Sequence, residues 1–107
     1  MELESYSFVL LRRPADAPDL PEEELDALQE RHLAYLGGLR ARGVLAVAGP
    51  FRDQPDESWR GFCLLRVGIE EARTLAAQDP SVQAGRLAVD VMTWLTPAGE
   101  IAFPGGH

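Results

Sequence analysis

The chain has 107 residues, 46% of them apolar, which suits one domain with a single modest core and leaves little room for an extended unfolded segment. Its net charge of −7 includes no lysine, and the arginines are scattered among acids, so the sequence shows no basic patch of the kind a nucleic-acid partner needs. No apolar run would span a bilayer, MELESYSFVLL carries acids where a signal peptide carries bases, and the lone Cys63 has no internal partner; a cytoplasmic protein with no membrane partner is expected.

Taken in order, Glu4 to Arg13, ESYSFVLLRR, has the composition of a strand that Pro14 ends. Both of its sides are apolar, with Tyr6, Phe8 and Leu10 on one and Val9 and Leu11 on the other. The stiff loop PADAPDLP then delivers the chain to its longest element, a helix over Pro21 to Gly43. Leu25, Leu28, Leu36 and Leu39 recur there at helical spacing, and His32 falls on their stripe. Asp19 or Pro21 marks the start. Glu22, Glu23 and Glu24 in the first turn and Arg40 and Arg42 in the last complement the helix dipole, and Gly43 suits a left-handed cap. The interior pair Gly37-Gly38 costs about 1 kcal/mol per glycine relative to alanine, and signals either a close neighbour or plain local weakness.

VLAVAGPF, Val44 to Phe51, reads as a strand stopped by Gly49-Pro50; RDQPDES is a loop, and Trp59 to Val67 is a third strand. Gly68 to Gln78 fits a short amphipathic helix with Ile69, Ala72, Leu75 and Ala76 inward, stopped by Asp79-Pro80. After PSVQAG, Arg86 to Leu95 reads as a fourth strand. Residues 1–96 are expected to form the domain and 97–107 a tail, with room for a short edge segment at Glu100 to Phe103 and with His107 too terminal to serve as a ligand.

The order β-α-β-β-α-β, with two right-handed crossovers interleaved, predicts an α+β, ferredoxin-like fold: a four-stranded antiparallel sheet with both helices on one face. Such a sheet normally alternates apolar and polar residues, because its other face meets water. Here the first, second and fourth strands are apolar on both sides, Met92 and Trp94 lying opposite Val89 and Val91. The expectation is a homodimer packed sheet to sheet; the alternative is that loops and the tail cover this face within one chain.

His32 has two readings: a core group bonded to a carbonyl, or the acting residue of a site. The second helix runs antiparallel to the first, which brings Asp79 beside the first helix; a carboxylate at the negative end of a helix needs compensation, and a histidine proton supplies it. Asp79 before Pro80 also suits the N-cap of a following turn through Ser81 and Val82, and one carboxylate has oxygens for both tasks. Together His32 and Asp79 would be a general acid/base without a nucleophile. There is no G-x-S-x-G, Walker loop or dinucleotide glycine pattern, and two histidines with one cysteine are too few for a zinc cluster, so neither cofactor nor metal is expected.

The motif R-H-L-x-Y-L-x-x-L-R-x-x-G at Arg31 to Gly43, A-G-P at Ala48 to Pro50, E-E-A-R at Glu70 to Arg73 and D-P-x-V-x-A-G at Asp79 to Gly85 resemble the YciI-like (YCII-related) family over most of the chain. The resemblance implies a dimeric α/β barrel of ferredoxin-like subunits, with His32 and Asp79 at the positions of an active-site dyad. It also implies that one branch acts as dehydrochlorinases on chlorinated hydroxyhydroquinones. Some relatives carry a hydroxyl residue early in the third strand, where this chain has Gly61-Phe62-Cys63, and Cys63 reads as packing.

Trp59, Phe62 and Trp94 are candidates for the lining of an aromatic-ligand pocket or for core, and Asp90 for the interior of a barrel or a solvated edge. Two functions compete. One is a small-molecule enzyme performing a cofactor-free, lyase or isomerase-like proton transfer on a cyclic or aromatic substrate; the other is a binding or accessory module whose His-Asp pair is structural. A purely oligomeric scaffold leaves the polar pair unexplained.

Overall fold

The computed structural model describes residues 1–102. Its elements are β1 (Leu3–Arg12), α1 (Glu22–Ala41), β2 (Leu45–Pro50), β3 (Trp59–Leu65), α2 (Ile69–Ala77), α3 (Pro80–Gln83) and β4 (Ala88–Pro97). Element boundaries lie close to those expected from the sequence. The single-turn helix α3 realises the turn through Ser81 and Val82 for which Asp79 and Pro80 suit the cap and the first position. Glu100 to Ala102 form no strand, while Phe103 and His107 lie outside the described residues.

The sheet order is β2-β3-β1-β4, with every neighbouring pair antiparallel. This is the ferredoxin-like α+β fold: each helix crosses over a strand already in the sheet, and the helices gather on one face. Register assigns the two faces. Val9 pairs with Cys63 and Val91, and Leu11 with Gly61 and Val89; Val9, Leu11 and Cys63 join Leu65 from the sheet and Leu39, Ala72, Leu75 and Ala76 from the helices in the core. The opposite face carries Tyr6, Phe8, Leu10, Phe62, Leu64, Met92 and Trp94. Phe8 stacks on Phe62 with centroids 4.8 Å apart, and Phe51 continues the row at 6.0 Å. No helix covers this second apolar layer; Val47 and Met92 are each 43% exposed there and Trp94 39%.

α1 begins after Pro21 without a side-chain cap, so its acidic first turn carries the interaction with the exposed amides. It ends in a Schellman motif: Gly43 N–H donates to the Arg40 carbonyl and Val44 N–H to that of Leu39, with Gly43 at φ 76°. Leu39 and Val44 are both buried, which adds the apolar contact this motif favours and turns the chain into β2. Leu28, His32 and Leu39 are the buried residues of α1, Leu25 and Leu36 being only half-buried. No neighbour lies within 4 Å of a side chain added at Gly37 or Gly38, so this pair is a local weakness of the helix.

Candidate functional site

His32 is 7% exposed, on the inward face of α1, and Asp79 is 3% exposed in the link between α2 and α3. Their side chains meet: His32 Nδ1 lies 2.7 Å from Asp79 Oδ2. A carboxylate oxygen only accepts, so Nδ1 carries a proton, and whenever the ring is neutral its lone pair is on Nε2. The second carboxylate oxygen is also used, Oδ1 accepting from Ser81 N–H at 2.9 Å as the N-cap of α3, with Pro80 in the first turn. Both readings of Asp79 therefore hold at once, one per oxygen. α3 exists because Asp79 caps it and Pro80 presets its first dihedral, and that geometry fixes where the carboxylate points.

Tyr35, one turn beyond His32, donates from its hydroxyl to the Leu75 carbonyl at 2.7 Å, tying α1 to the last turn of α2 shortly before Asp79. Burial, and then the Asp79 charge, push the Tyr35 pKa up, so its proton stays in place as donor. Among the described residues no buried side-chain nitrogen or oxygen lacks a partner.

A cavity of about 460 Å³, within the size range of small-molecule sites, opens between α1 and the β2–β3 end of the sheet. Gln29, His32, Leu33, Leu36 and Arg40 line it from the helix, Ala48, Gly49, Pro50, Arg60, Gly61, Phe62 and Cys63 from β2 and β3, and Leu11, Arg13 and Leu87 complete it. Asp79 is not in this lining. With Nδ1 taken by the carboxylate, Nε2 is the ring nitrogen left free to meet a ligand. Gly61 is required here: a Cβ on it would come within 2.5 Å of the Gly49 carbonyl oxygen, so a hydroxyl side chain at this point of β3 would push against the β2 backbone.

Of the aromatic and acidic candidates, Phe62 lines the cavity while its ring stacks on Phe8 and Phe51. Trp59, Asp90 and Trp94 do not line it. Asp90 is exposed and forms an ion pair with Arg12, Nε to Oδ2 at 2.6 Å; Trp94 packs at 6.0 Å from Tyr6 on the uncovered face. Cys63 is 4% exposed, and burial, followed by the Asp79 charge, pushes its thiol up to about 12, so it is an unreactive packing group. Among the described residues no three His, Cys, Asp or Glu side chains cluster to hold a metal, and no helix is long and apolar enough to cross a membrane.

Sequence reasoning missed the arginines. Arg40 had a signal, since His32, Leu36 and Arg40 stand at i, i+4 and i+8 on one helix face. Arg13 had a weaker one, in alternation with Val9 and Leu11 along the first strand. Arg60 had none: the register slips between Leu11 and Arg12, leaving Arg60 as the extra residue of a bulge that turns it toward the cavity.

The fold recurs in known proteins. A solved structure of 5-chloro-2-hydroxyhydroquinone dehydrochlorinase from Burkholderia phenoliruptrix AC1100, in complex with 2,5-dihydroxybenzoquinone, aligns with a TM-score of 0.56 at 24% identity, covering 85% of this chain and 93% of that one. No curated protein matches by sequence. The model of the YCII-related domain matches residues 7–95, a span that runs from β1 into β4 and includes both His32 and Asp79, and on that match the chain belongs to the YCII-related family.

Proposed function

We propose that this protein is a small-molecule enzyme in which His32, oriented by Asp79, moves a proton to or from a small cyclic or aromatic substrate held in the α1–sheet cavity. The observation that carries the reading is that one imidazole does two things: its Nδ1 is fixed by a buried carboxylate, and the same side chain lines a ligand-sized cavity. A histidine serving only the core needs no cavity. The carboxylate holds the tautomer and stabilises the imidazolium once Nε2 takes a proton, which is the arrangement of an oriented general base.

The dehydrochlorinase neighbour and its quinone ligand support an oxygen-substituted six-membered ring as the substrate type. On such a ring a hydroxyl proton first moves to the chlorine-bearing carbon, giving a keto tautomer; the base then withdraws a second hydroxyl proton, its electron pair enters the ring system and chloride departs with the C–Cl pair. Loss of HCl from a chlorinated hydroxyhydroquinone to a hydroxyquinone balances in this way without an oxidant. The test is incubation with 5-chloro-2-hydroxyhydroquinone while chloride release is followed, for the native protein and for His32→Asn. Enzyme-dependent release that the variant abolishes supports the reading; equal rates with both proteins overturn the role of His32.

The same proposal includes a homodimer joined through the uncovered sheet face, supported by the exposed row of Val47, Met92 and Trp94 and by the stacked rings beside it. The competing reading, a ligand-binding module with a structural His-Asp pair, is favoured by the near-complete burial of both side chains. It is separated by chemistry: a purely structural pair leaves the chloride-release rate of folded His32→Asn equal to that of the native protein, whatever stability the variant loses.

A further inference from the structure

The ten basic residues are scattered in sequence, in a chain whose net charge is −7, yet three of them converge on one cavity. Arg13 enters from the end of β1, Arg40 from the last turn of α1 and Arg60 from the β3 bulge; no carboxylate stands among the lining residues. None of the three is in an ion pair among the described residues. Arg13 Nε donates to the Arg86 carbonyl at 2.9 Å and Arg60 Nη1 to the Glu57 carbonyl at 3.2 Å, neutral acceptors that leave both charges uncompensated. Elsewhere the chain does pair its arginines, Arg12 with Asp90 and Arg73 with Glu70.

We propose that Arg13, Arg40 and Arg60 form an anion-recognition subsite of the His32 cavity, so that its ligand carries an anionic oxygen group, a carboxylate or an ionised ring hydroxyl. This rests on the cavity being the ligand site, and names the class of ligand it takes. Guanidinium groups suit such oxygens because their planar donors bind two at once, and the partial enclosure strengthens the attraction relative to water. The crowding itself points the same way. Burial first, and then the charges of Arg86 and Arg60, push the Arg13 pKa down, a mutual repulsion that a bound anion relieves. An anionic substituent held by the arginines beside Nε2 would also orient the ring for proton transfer, and would stabilise negative charge that develops on it when the proton leaves.

The test is a titration of the native protein with benzoate and with benzamide, its uncharged counterpart, each to tens of millimolar at constant ionic strength. The readout is the set of arginine Nε–H resonances in two-dimensional NMR. Benzoate is expected to shift the Arg13, Arg40 and Arg60 signals at least tenfold more tightly than benzamide, with Arg73 unmoved. Arg40→Met and Arg60→Met, whose exposed positions make them safe for folding, are each expected to weaken that preference at least threefold. Overturning results are the absence of any shift of the three signals with benzoate, equal binding of benzamide, or equal shifts at Arg73. Failure of His32 in proton transfer leaves these shifts unchanged, and silent arginines leave the chloride-release assay unchanged, so the two ideas fail separately.

Discussion

At the residue scale the decisive object is one carboxylate with two tasks. Asp79→Asn keeps the cap, because the amide oxygen still accepts from Ser81 N–H, and thereby turns the amide nitrogen toward His32 Nδ1. That nitrogen donates, so Nδ1 must accept and the ring proton moves to Nε2, where the lone pair is needed. The expected outcome is a folded protein whose turnover falls roughly 10³- to 10⁴-fold, with the tautomer change visible in the ¹⁵N shifts of His32. Asp79→Ala instead strips both bonds and costs about 3–5 kcal/mol in chemical denaturation. Cys63 gives an independent check of the core. With its thiol pushed up to about 12 and 4% exposed, it should resist iodoacetamide at pH 8 in the native state and react at once in denaturant. Because the fold retains this proton to higher pH than the unfolded chain does, the stability it contributes is whole below about pH 9 and is lost as pH rises toward 12.

At the element scale, α1 carries the site and is weaker than its length suggests. Gly37 and Gly38 are exposed, helical and free of neighbours, so nothing in the fold requires them to be glycine. Replacing either by alanine is expected to raise stability by about 0.5–1 kcal/mol, read as a higher denaturation midpoint at unchanged slope. The four-residue α3 works in the other direction: too short to be stable alone, it persists because Asp79 caps it and Gly85, at φ 76°, closes it. Its purpose in the fold is positional. The cap orients a carboxylate that Tyr35, through the Leu75 carbonyl, holds at the correct height beside α1.

At the scale of the whole molecule, the sheet has two apolar faces and helices for only one. The uncovered face should therefore bury itself against a second copy, and sedimentation velocity at micromolar concentration is expected to give a dimer. Met92→Glu, which places a charge in the middle of that face beside Phe8, should yield a folded monomer. A native protein that stays monomeric removes the sheet-to-sheet pairing, although the cavity between α1 and the sheet would remain.

Local chemistry alone determined a good deal. Two-sided apolar strands, the Glu-rich start and glycine stop of α1, and the order of elements led directly to the ferredoxin-like sheet, because periodicity and capping are properties of neighbouring residues. The meeting of His32 and Asp79 was legible too, since the crossover topology leaves the end of α2 nowhere else to go. Tertiary structure decided what depends on register and on distance. A single bulge at Arg60 re-aimed a side chain, Gly61 was fixed by the approach of the Gly49 carbonyl, and three arginines far apart along the chain came to face one cavity. Charge in a sequence is a sum, whereas charge in a cavity depends on where the backbone puts each residue, and that information exists only once the chain has folded.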